Sequence, residues 1–179
     1  MKSVRSIHVS EPDLSDLERS YLLDAFDSTW ISSTGEYVRD FEREFAKLSG
    51  TEFAISCCNG TAALHLAYLG LGLGPGDEVI LPDLTYVATA NALLYLGAKP
   101  VFADCDAGTW NVCPDSVRRM MTPQTRAIVA VHFLGTPCEL AALRTIADEC
   151  GVALIEDAAE AHGSSFAGRR SSWRRGTWW

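Results

Sequence analysis

The stretch GPGDEVILPDLTYVATANALLYLGAKPVFAD, from Gly74 to Asp104, alternates between the patterns of strand, helix and strand. We expect strands at Glu78 to Leu81 and Pro100 to Asp104, and between them, at Asp83 to Ala98, a loop that leads into a helix. Both strands are short and apolar on both faces, as is typical of strands buried between two helical layers in a largely parallel sheet.

The same alternation continues on both sides of this stretch. Further strands are predicted at Glu52 to Cys58, Ala127 to Phe133 and Val152 to Ile155, and helices at Ala62 to Leu71 and Glu139 to Cys150. Strands that alternate with helices indicate an α/β three-layer sandwich with a mostly parallel sheet.

An N-terminal helical segment, residues 1–50, precedes the first strand. Amphipathic patterns predict helices at Asp13 to Phe26 and Val38 to Leu48, joined by Ser28 to Gly35. That connector contains Trp30 and two serines. It is either a capping loop whose tryptophan packs on the core or a loop that binds a ligand.

Composition excludes several classes of protein. A chain of 179 residues can form a single domain with a real core, and its net charge of -8 argues against a nucleic-acid partner. No apolar run is long enough for a membrane span, and the N-terminus lacks the apolar core of a signal peptide, so we expect a cytoplasmic protein. The six cysteines form no CxxC pair and no metal-ligand spacing, so they are interpreted as buried apolar residues.

Two strand-to-helix junctions offer candidate binding residues. In SCCNGTAALHLA, Ser56 to Ala67, an Asn59-Gly60 turn leads into a helix that begins around Thr61 or Ala62. The free N–H groups at its start suit a phosphate, although Thr61 as a simple N-cap is the alternative. After the strand that ends near Leu81, Tyr86 either packs at the rim or offers its ring to a planar ligand.

The third candidate is VALIEDAAEAHG, Val152 to Gly163, where an apolar strand ends in carboxylates. Ligands of open α/β sheets bind beyond the carboxyl ends of the strands. Asp157 therefore either caps a following helix or meets a cationic group of a ligand, since an unpaired buried carboxylate is costly. A metal held by Asp157 and His162 lacks a third ligand.

Five segments together resemble the N-terminal half of the DegT/DnrJ/EryC1/StrS family of sugar aminotransferases. They are TWISSTGEYVRDFEREFA, NGTAALHLA, GPGDEVILPDLTYVATANA, GAKPVFAD and IEDAAEAHG. The resemblance implies the large domain of type I pyridoxal-phosphate (PLP) transferases over residues 1–168. The TWISS segment is most similar to the perosamine-synthesising branch, which passes an amino group from glutamate to a GDP-linked 4-keto-6-deoxy sugar.

The resemblance also implies roles for the candidate residues. Asp157 would pair with the pyridine nitrogen, Gly60, Thr61 and Ala62 would hold the phosphate, Tyr86 would stack on the ring, and Glu160 would lie near the ring hydroxyl. The family's enzymes are homodimers, and a lysine forms their Schiff base with the cofactor.

That lysine has no counterpart here, since the lysines are Lys2, Lys47 and Lys99. After Gly168 the sequence reads RRSSWRRGTWW, and we interpret residues 169–179 as an aberrant tail from a frameshift or a premature end. We therefore expect a truncated, inactive chain with uncovered apolar faces. The alternatives are a non-catalytic protein that binds the cofactor or a nucleotide sugar, and an aminotransferase for a different keto sugar.

Overall fold

The structure is a computed structural model that describes residues 11–166 and 169–170. Most of the predicted tail, from Ser171 onward, and Lys2 lie outside the described residues. The helices are α1 (Asp16–Asp27), α2 (Glu36–Ser49), α3 (Gly60–Gly70), α4 (Ala88–Leu94), α5 (Pro114–Met120) and α6 (Leu140–Cys150). The strands are β1 (Glu78–Pro82), β2 (Lys99–Ala103), β3 (Thr125–Val131), β4 (Ala153–Asp157), β5 (Ser165–Phe166) and β6 (Arg169–Arg170).

The chain divides into two compact units, one up to Phe41 and one from Glu42 onward. In the first unit, Ser15 caps α1 through a capping box with Glu18, and α1 buries no side chain. Trp30 is 60% exposed. The interpretation of its loop as a cap whose tryptophan packs on the core and the interpretation of the loop as a ligand-binding segment both stay predictions.

The second unit is built on a four-stranded sheet in the order β2-β1-β3-β4. All three strand pairs are parallel, as the short apolar runs predict. One face of the sheet packs on α3 and α4 through residues such as Tyr68, Leu81 and Leu93. The other face packs on α5 and α6 through residues such as Ile128 and Leu143. The predicted three-layer α/β sandwich is therefore confirmed.

The helix α5 was missed by the apolar periodicity because it has fewer than three turns. Its signals are nevertheless present, with Pro114 in the first turn, Asp115 beside it and Arg118 and Arg119 in the last turn. Proline at the start and charges that oppose the helix dipole are typical of helix ends.

The predicted strand at Glu52 to Cys58 is wrong. These residues lie outside every helix and strand of the described chain, and Phe53 and Ile55 are 76% and 55% exposed. A strand exists only where a neighbouring backbone completes its hydrogen bonds, and β1 to β4 pair with one another. Residues 52–58 have the apolar pattern of a strand, but no neighbouring strand of the described chain forms backbone hydrogen bonds with them.

The interpretation of the cysteines as buried is also wrong for most of them. Only Cys138 is buried among the six, while Cys57, Cys58 and Cys150 are exposed and Cys105 and Cys113 are half-buried. Cys57 and Cys58 belong to the segment Glu52 to Cys58, which pairs with no strand in the described part of the chain.

A short antiparallel pairing crosses the predicted boundary at Gly168. Ser165 pairs with Arg170 and Phe166 with Arg169, so the backbone at the start of the predicted tail continues into a hairpin. In the described part of the chain, no helix is long and apolar enough to cross a bilayer.

Candidate functional site

Asp157 is the last residue of β4, at the carboxyl end of the parallel sheet. Its side chain is on the α3–α4 face, where Thr89 of α4 donates its hydroxyl proton to Asp157 Oδ2 over 2.9 Å. Thr89 is itself completely buried. A carboxylate in this position is available to a ligand that enters beyond the strand ends.

Burial raises the pKa of the Asp157 carboxyl above its ordinary value of 3.8, and the hydrogen bonds from Thr89 and from the Ala159 N–H oppose that rise. The residue is 8% exposed. The described ion pairs include no Lys or Arg partner for it. A cationic group brought by a ligand would therefore find a carboxylate that has no Lys or Arg partner among the described residues.

The alternative in which Asp157 caps a helix is wrong. Residues 158–160 form a turn, and Asp157 Oδ1 accepts the Ala159 N–H at 3.2 Å within it. Aspartate often closes a turn through the N–H two residues ahead. The described residues hold no group of three or more His, Cys, Asp or Glu that could bind a metal ion.

The start of α3 presents backbone donors. Asn59, not Thr61, is the N-cap, since its Oδ1 accepts the Ala62 N–H at 2.9 Å. Among the described residues, nothing accepts the N–H groups of Gly60 and Thr61 or the Thr61 hydroxyl. Two free N–H groups at the positive end of a helix of 11 residues can bind an anion such as phosphate.

Tyr86 lies in the turn before α4, and its ring is 74% exposed. The packing alternative for this ring is therefore wrong within the described chain. The Thr89 N–H donates to the Tyr86 carbonyl at 3.2 Å, which ties the tyrosine backbone to the residue that holds Asp157. Its exposed ring is free to lie against a planar ligand.

Glu160 lies in the turn after β4 and reaches the loop that follows β3. Its Oε2 accepts the Leu134 N–H at 2.7 Å. Oε1 accepts none of the hydrogen bonds found in the described part of the chain, so one carboxylate oxygen remains available to a ligand.

Of the predicted site residues, Asp157 is the one that takes part in the described side-chain hydrogen bonds between α3, α4 and β4. Tyr68 of α3 donates its hydroxyl proton to the Thr89 carbonyl at 3.2 Å, so α3, α4 and β4 are joined through Tyr68, Thr89 and Asp157. No hydrogen bond between described residues connects Gly60, Tyr86 or Glu160 directly to the Asp157 carboxylate.

Sequence reasoning missed Thr89 and the partner of His132. His132 is buried completely and contacts Glu156, which is 3% exposed, at 3.2 Å between Nε2 and Oε2. The available signal was a hydroxyl residue, Thr89, in a short helix made mostly of alanine and leucine, because buried hydroxyls need a partner.

The two described lysines do not serve this site. Lys99 Nζ bonds to Glu78 Oε1 at 2.8 Å, where β1 and β2 begin, and this is the edge of the sheet opposite to the end of β4. Lys47 Nζ bonds to Glu44 at 2.8 Å on α2. Neither ammonium group is paired with Asp157.

A family profile described as the DegT/DnrJ/EryC1/StrS aminotransferase family matches residues 12–174. The chain is 44% identical over 171 residues to a protein of Caulobacter vibrioides named GDP-perosamine synthase. That alignment covers 96% of this chain and 46% of the relative. The chain therefore spans less than half the length of the curated relatives that it matches.

Solved structures give the same picture. The sugar-metabolising protein DesI, crystallised in the presence of its TDP-sugar product, is 44% identical with a TM-score of 0.82, over 89% of this chain and 41% of that one. NtdA of Bacillus subtilis, with bound cofactor PMP (pyridoxamine phosphate), is 31% identical with a TM-score of 0.81. That match covers 87% of this chain and 36% of NtdA.

Proposed function

Because the chain belongs to the DegT/DnrJ/EryC1/StrS aminotransferase family, we propose that it is the cofactor-binding part of a PLP-dependent sugar aminotransferase. The proposed substrate is a nucleotide-linked 4-keto-6-deoxy sugar, with glutamate as amino donor. The name of the Caulobacter relative supports a GDP-linked sugar that becomes perosamine. We further propose a cytoplasmic homodimer for the full-length protein.

The observation that carries this proposal is the buried carboxylate of Asp157. It is held by Thr89 and by the Ala159 N–H, and it lacks a cationic partner among the described residues. The protonated ring nitrogen of a pyridoxal cofactor is a planar cation of the kind that such a carboxylate would bind. The fit is chemical, because the charge of the ring nitrogen would offset the cost of burying Asp157.

The remaining candidates fit the other parts of the same cofactor. The free N–H groups of Gly60 and Thr61 would bind its phosphate, with the Ala62 N–H held by the cap. The exposed Tyr86 ring would lie on the pyridine face, and Glu160 Oε1 would meet the ring hydroxyl. When bound, the cofactor supplies an electron sink for the substrate carbon that loses a proton.

Asp157 has the central role in this arrangement. Its negative charge would keep the proton on the ring nitrogen, and Thr89 would keep the carboxylate oriented towards it. Tyr68, through the Thr89 carbonyl, would fix the helix that carries Thr89. These are binding and orienting roles of this chain's own residues.

A second candidate function is cofactor binding without a covalent link. It is favoured by the positions of Lys47 and Lys99, which bond to Glu44 and Glu78 and not to residues of the site. In this reading the chain holds the cofactor or a nucleotide sugar but does not transfer an amino group.

Addition of PLP and of PMP to the purified chain tests both functions. We expect the absorbance band of each cofactor to shift on binding, and we expect Asp157→Asn to lose the shift. Treatment of the PLP complex with borohydride followed by mass measurement separates a covalent from a non-covalent complex. Absence of binding by the unmodified chain would contradict the proposal.

A further inference from the structure

The loop of residues 132–138, which follows β3, is held by an unusual number of side chains. Phe133 to Gly135 form one turn of 3-10 helix, and Leu134 within it has φ +50. This left-handed conformation is unfavourable for a branched residue that is not glycine, and it persists only where the surroundings impose it. The Leu134 side chain is 59% exposed, so core packing does not explain it.

The left-handed backbone of Leu134 directs its N–H towards Glu160. That group donates to Glu160 Oε2 at 2.7 Å. Ser164, four residues further along the chain, adds a second connection, since its hydroxyl donates to the Gly135 carbonyl at 3.1 Å. The 132–138 loop thereby determines where the Glu160 carboxylate lies.

The imidazole ring of His132, the first residue of the loop, forms a hydrogen bond with Cys138, the last residue of the loop. His132 Nδ1 accepts the Cys138 N–H at 3.1 Å, so Nδ1 carries no proton. The proton of the neutral ring is therefore on Nε2, which faces Glu156 Oε2 at 3.2 Å and donates to it. The Glu156 carboxylate has no other hydrogen-bond partner in the described part of the chain, so the two buried side chains depend on each other.

Asn111 clamps the middle of the loop from outside. Its Nδ2 donates to the carbonyls of Thr136 and Pro137, and its Oδ1 accepts the Phe133 N–H at 3.1 Å. These bonds stabilise the turn, but they do not connect it to β4. The His132 N–H donates to the Asp157 carbonyl at 3.0 Å, and the bond from the His132 ring to Glu156 is the side-chain connection that the described residues show between the loop and the strand that carries Asp157.

We propose that His132 and Glu156 are a positioning pair that holds the 132–138 loop in the shape in which the Leu134 N–H binds Glu160. The pair lies on the α5–α6 face of the sheet, whereas Asp157 lies on the α3–α4 face. It acts on the site through the loop and does not touch the ligand. Its relevance to the cofactor rests on the proposed function, in which Glu160 Oε1 meets the ring hydroxyl.

The test compares Glu156→Leu with Glu156→Gln, whose side-chain carbonyl can still accept the Nε2 proton. His132→Asn is the second disruptive variant, because its Oδ1 can replace Nδ1 towards Cys138 but cannot reach Glu156. Val117→Ala is the control, since Val117 is fully buried on α5 and takes part in none of the hydrogen bonds described for the loop, so its truncation destabilises the unit without removing one of them.

Two quantities are measured, the hydrogen exchange of the Leu134 amide without cofactor and the affinity for PMP. Relative to Val117→Ala, we expect Glu156→Leu and His132→Asn to speed Leu134 exchange and to weaken PMP binding, each by about tenfold. Glu156→Gln should resemble the unmodified chain in both.

Exchange at Leu134 in the disruptive variants no faster than in Val117→Ala would overturn the positioning pair. The same holds if Glu156→Gln behaves like Glu156→Leu. If the unmodified chain binds no PMP, the proposed function fails, and the exchange of Leu134 still decides whether the pair positions the loop. If Glu156→Leu does not fold, the exchange rate of the Leu134 amide in His132→Asn decides whether the pair positions the loop.

Discussion

Thr89 and Asp157 are 68 positions apart in the sequence, and the Thr89 hydroxyl lies 2.9 Å from Asp157 Oδ2. This bond joins α4 to the end of β4 on one face of the sheet. It lowers the pKa of Asp157, while burial, the larger effect, raises it. The ionisation of the carboxylate therefore depends on a residue that sequence patterns did not single out.

Thr89→Val replaces the hydroxyl by a methyl group of similar volume. We expect the pKa of Asp157 to rise further, because the bond that favours its charged form is lost. The free energy of unfolding at neutral pH should fall by about 2 kcal/mol, which is typical of a hydrogen bond to a charged group. Carbon NMR of the Asp157 carboxyl and urea unfolding measure the two effects.

The matched control is Thr145→Val, which removes an exposed hydroxyl bound to the Ala141 carbonyl at 2.9 Å. An equal loss of stability in both variants would contradict a special role for Thr89.

Asp157→Asn should separate stability from binding. Burial raises the pKa of Asp157, so the folded chain binds its proton more tightly than the unfolded chain does. The free energy of unfolding should then fall as the pH rises from the ordinary value of 3.8 through the raised pKa, and level off above it. Asn removes that fall, so the variant should gain stability relative to the unmodified chain at neutral pH.

The measurement is urea unfolding from pH 3 to pH 8, together with PMP titration at neutral pH. Loss of PMP binding at unchanged or greater stability is the expected combination. If Asp157→Asn loses both PMP binding and stability against urea, Asp157 only supports the fold.

Asn59→Ala removes the cap of α3 and should lower the free energy of unfolding by about 1 kcal/mol. It should also weaken binding of PMP and of inorganic phosphate, because the N–H groups at Gly60 and Thr61 lose their fixed direction. Ser15→Ala, which removes the corresponding cap of α1, is the control. It should cost similar helix stability and leave phosphate binding unchanged, and equal phosphate affinities in the two variants would rule out the site at α3.

Gly151 and Gly70 make a paired test of backbone conformation. Gly151 ends α6 with φ +65 and has open space around it, so Gly151→Ala should cost about 1 kcal/mol through strain alone. Gly70 is helical and has equally open surroundings, so Gly70→Ala should stabilise the chain by about 0.5 kcal/mol. Unfolding in urea gives both values, and the same sign for both would contradict the strain argument.

Much of the architecture could be predicted because its signals are local. The short apolar runs at β1 to β4 and the apolar spacing in α3 and α6 led to the parallel sheet and its helical layers. The sequence also singled out Asp157 as a candidate, since a carboxylate at the end of a buried strand has few ordinary explanations, whereas the role expected for Glu160 came from the family resemblance.

The predictions that were wrong depended on distant parts of the chain. The apolar run at Glu52 to Cys58 has the pattern of a strand but has no ladder partner, and the exposure of Cys57 and Cys58 follows from the same fact. The cap of α3 was assigned to Thr61 in one reading, whereas the geometry of the turn gives it to Asn59.

The sequence alone therefore led to the strands β1 to β4, to the described helices other than α5, to the family resemblance and to the candidate cofactor residues, because periodicity and residue chemistry are local properties. Only the tertiary structure decided that Thr89 binds Asp157, that His132 binds Glu156 and that Glu160 holds Leu134. Each of these contacts joins residues at least 24 positions apart. Such contacts arise from the packing of whole elements, which no local pattern encodes.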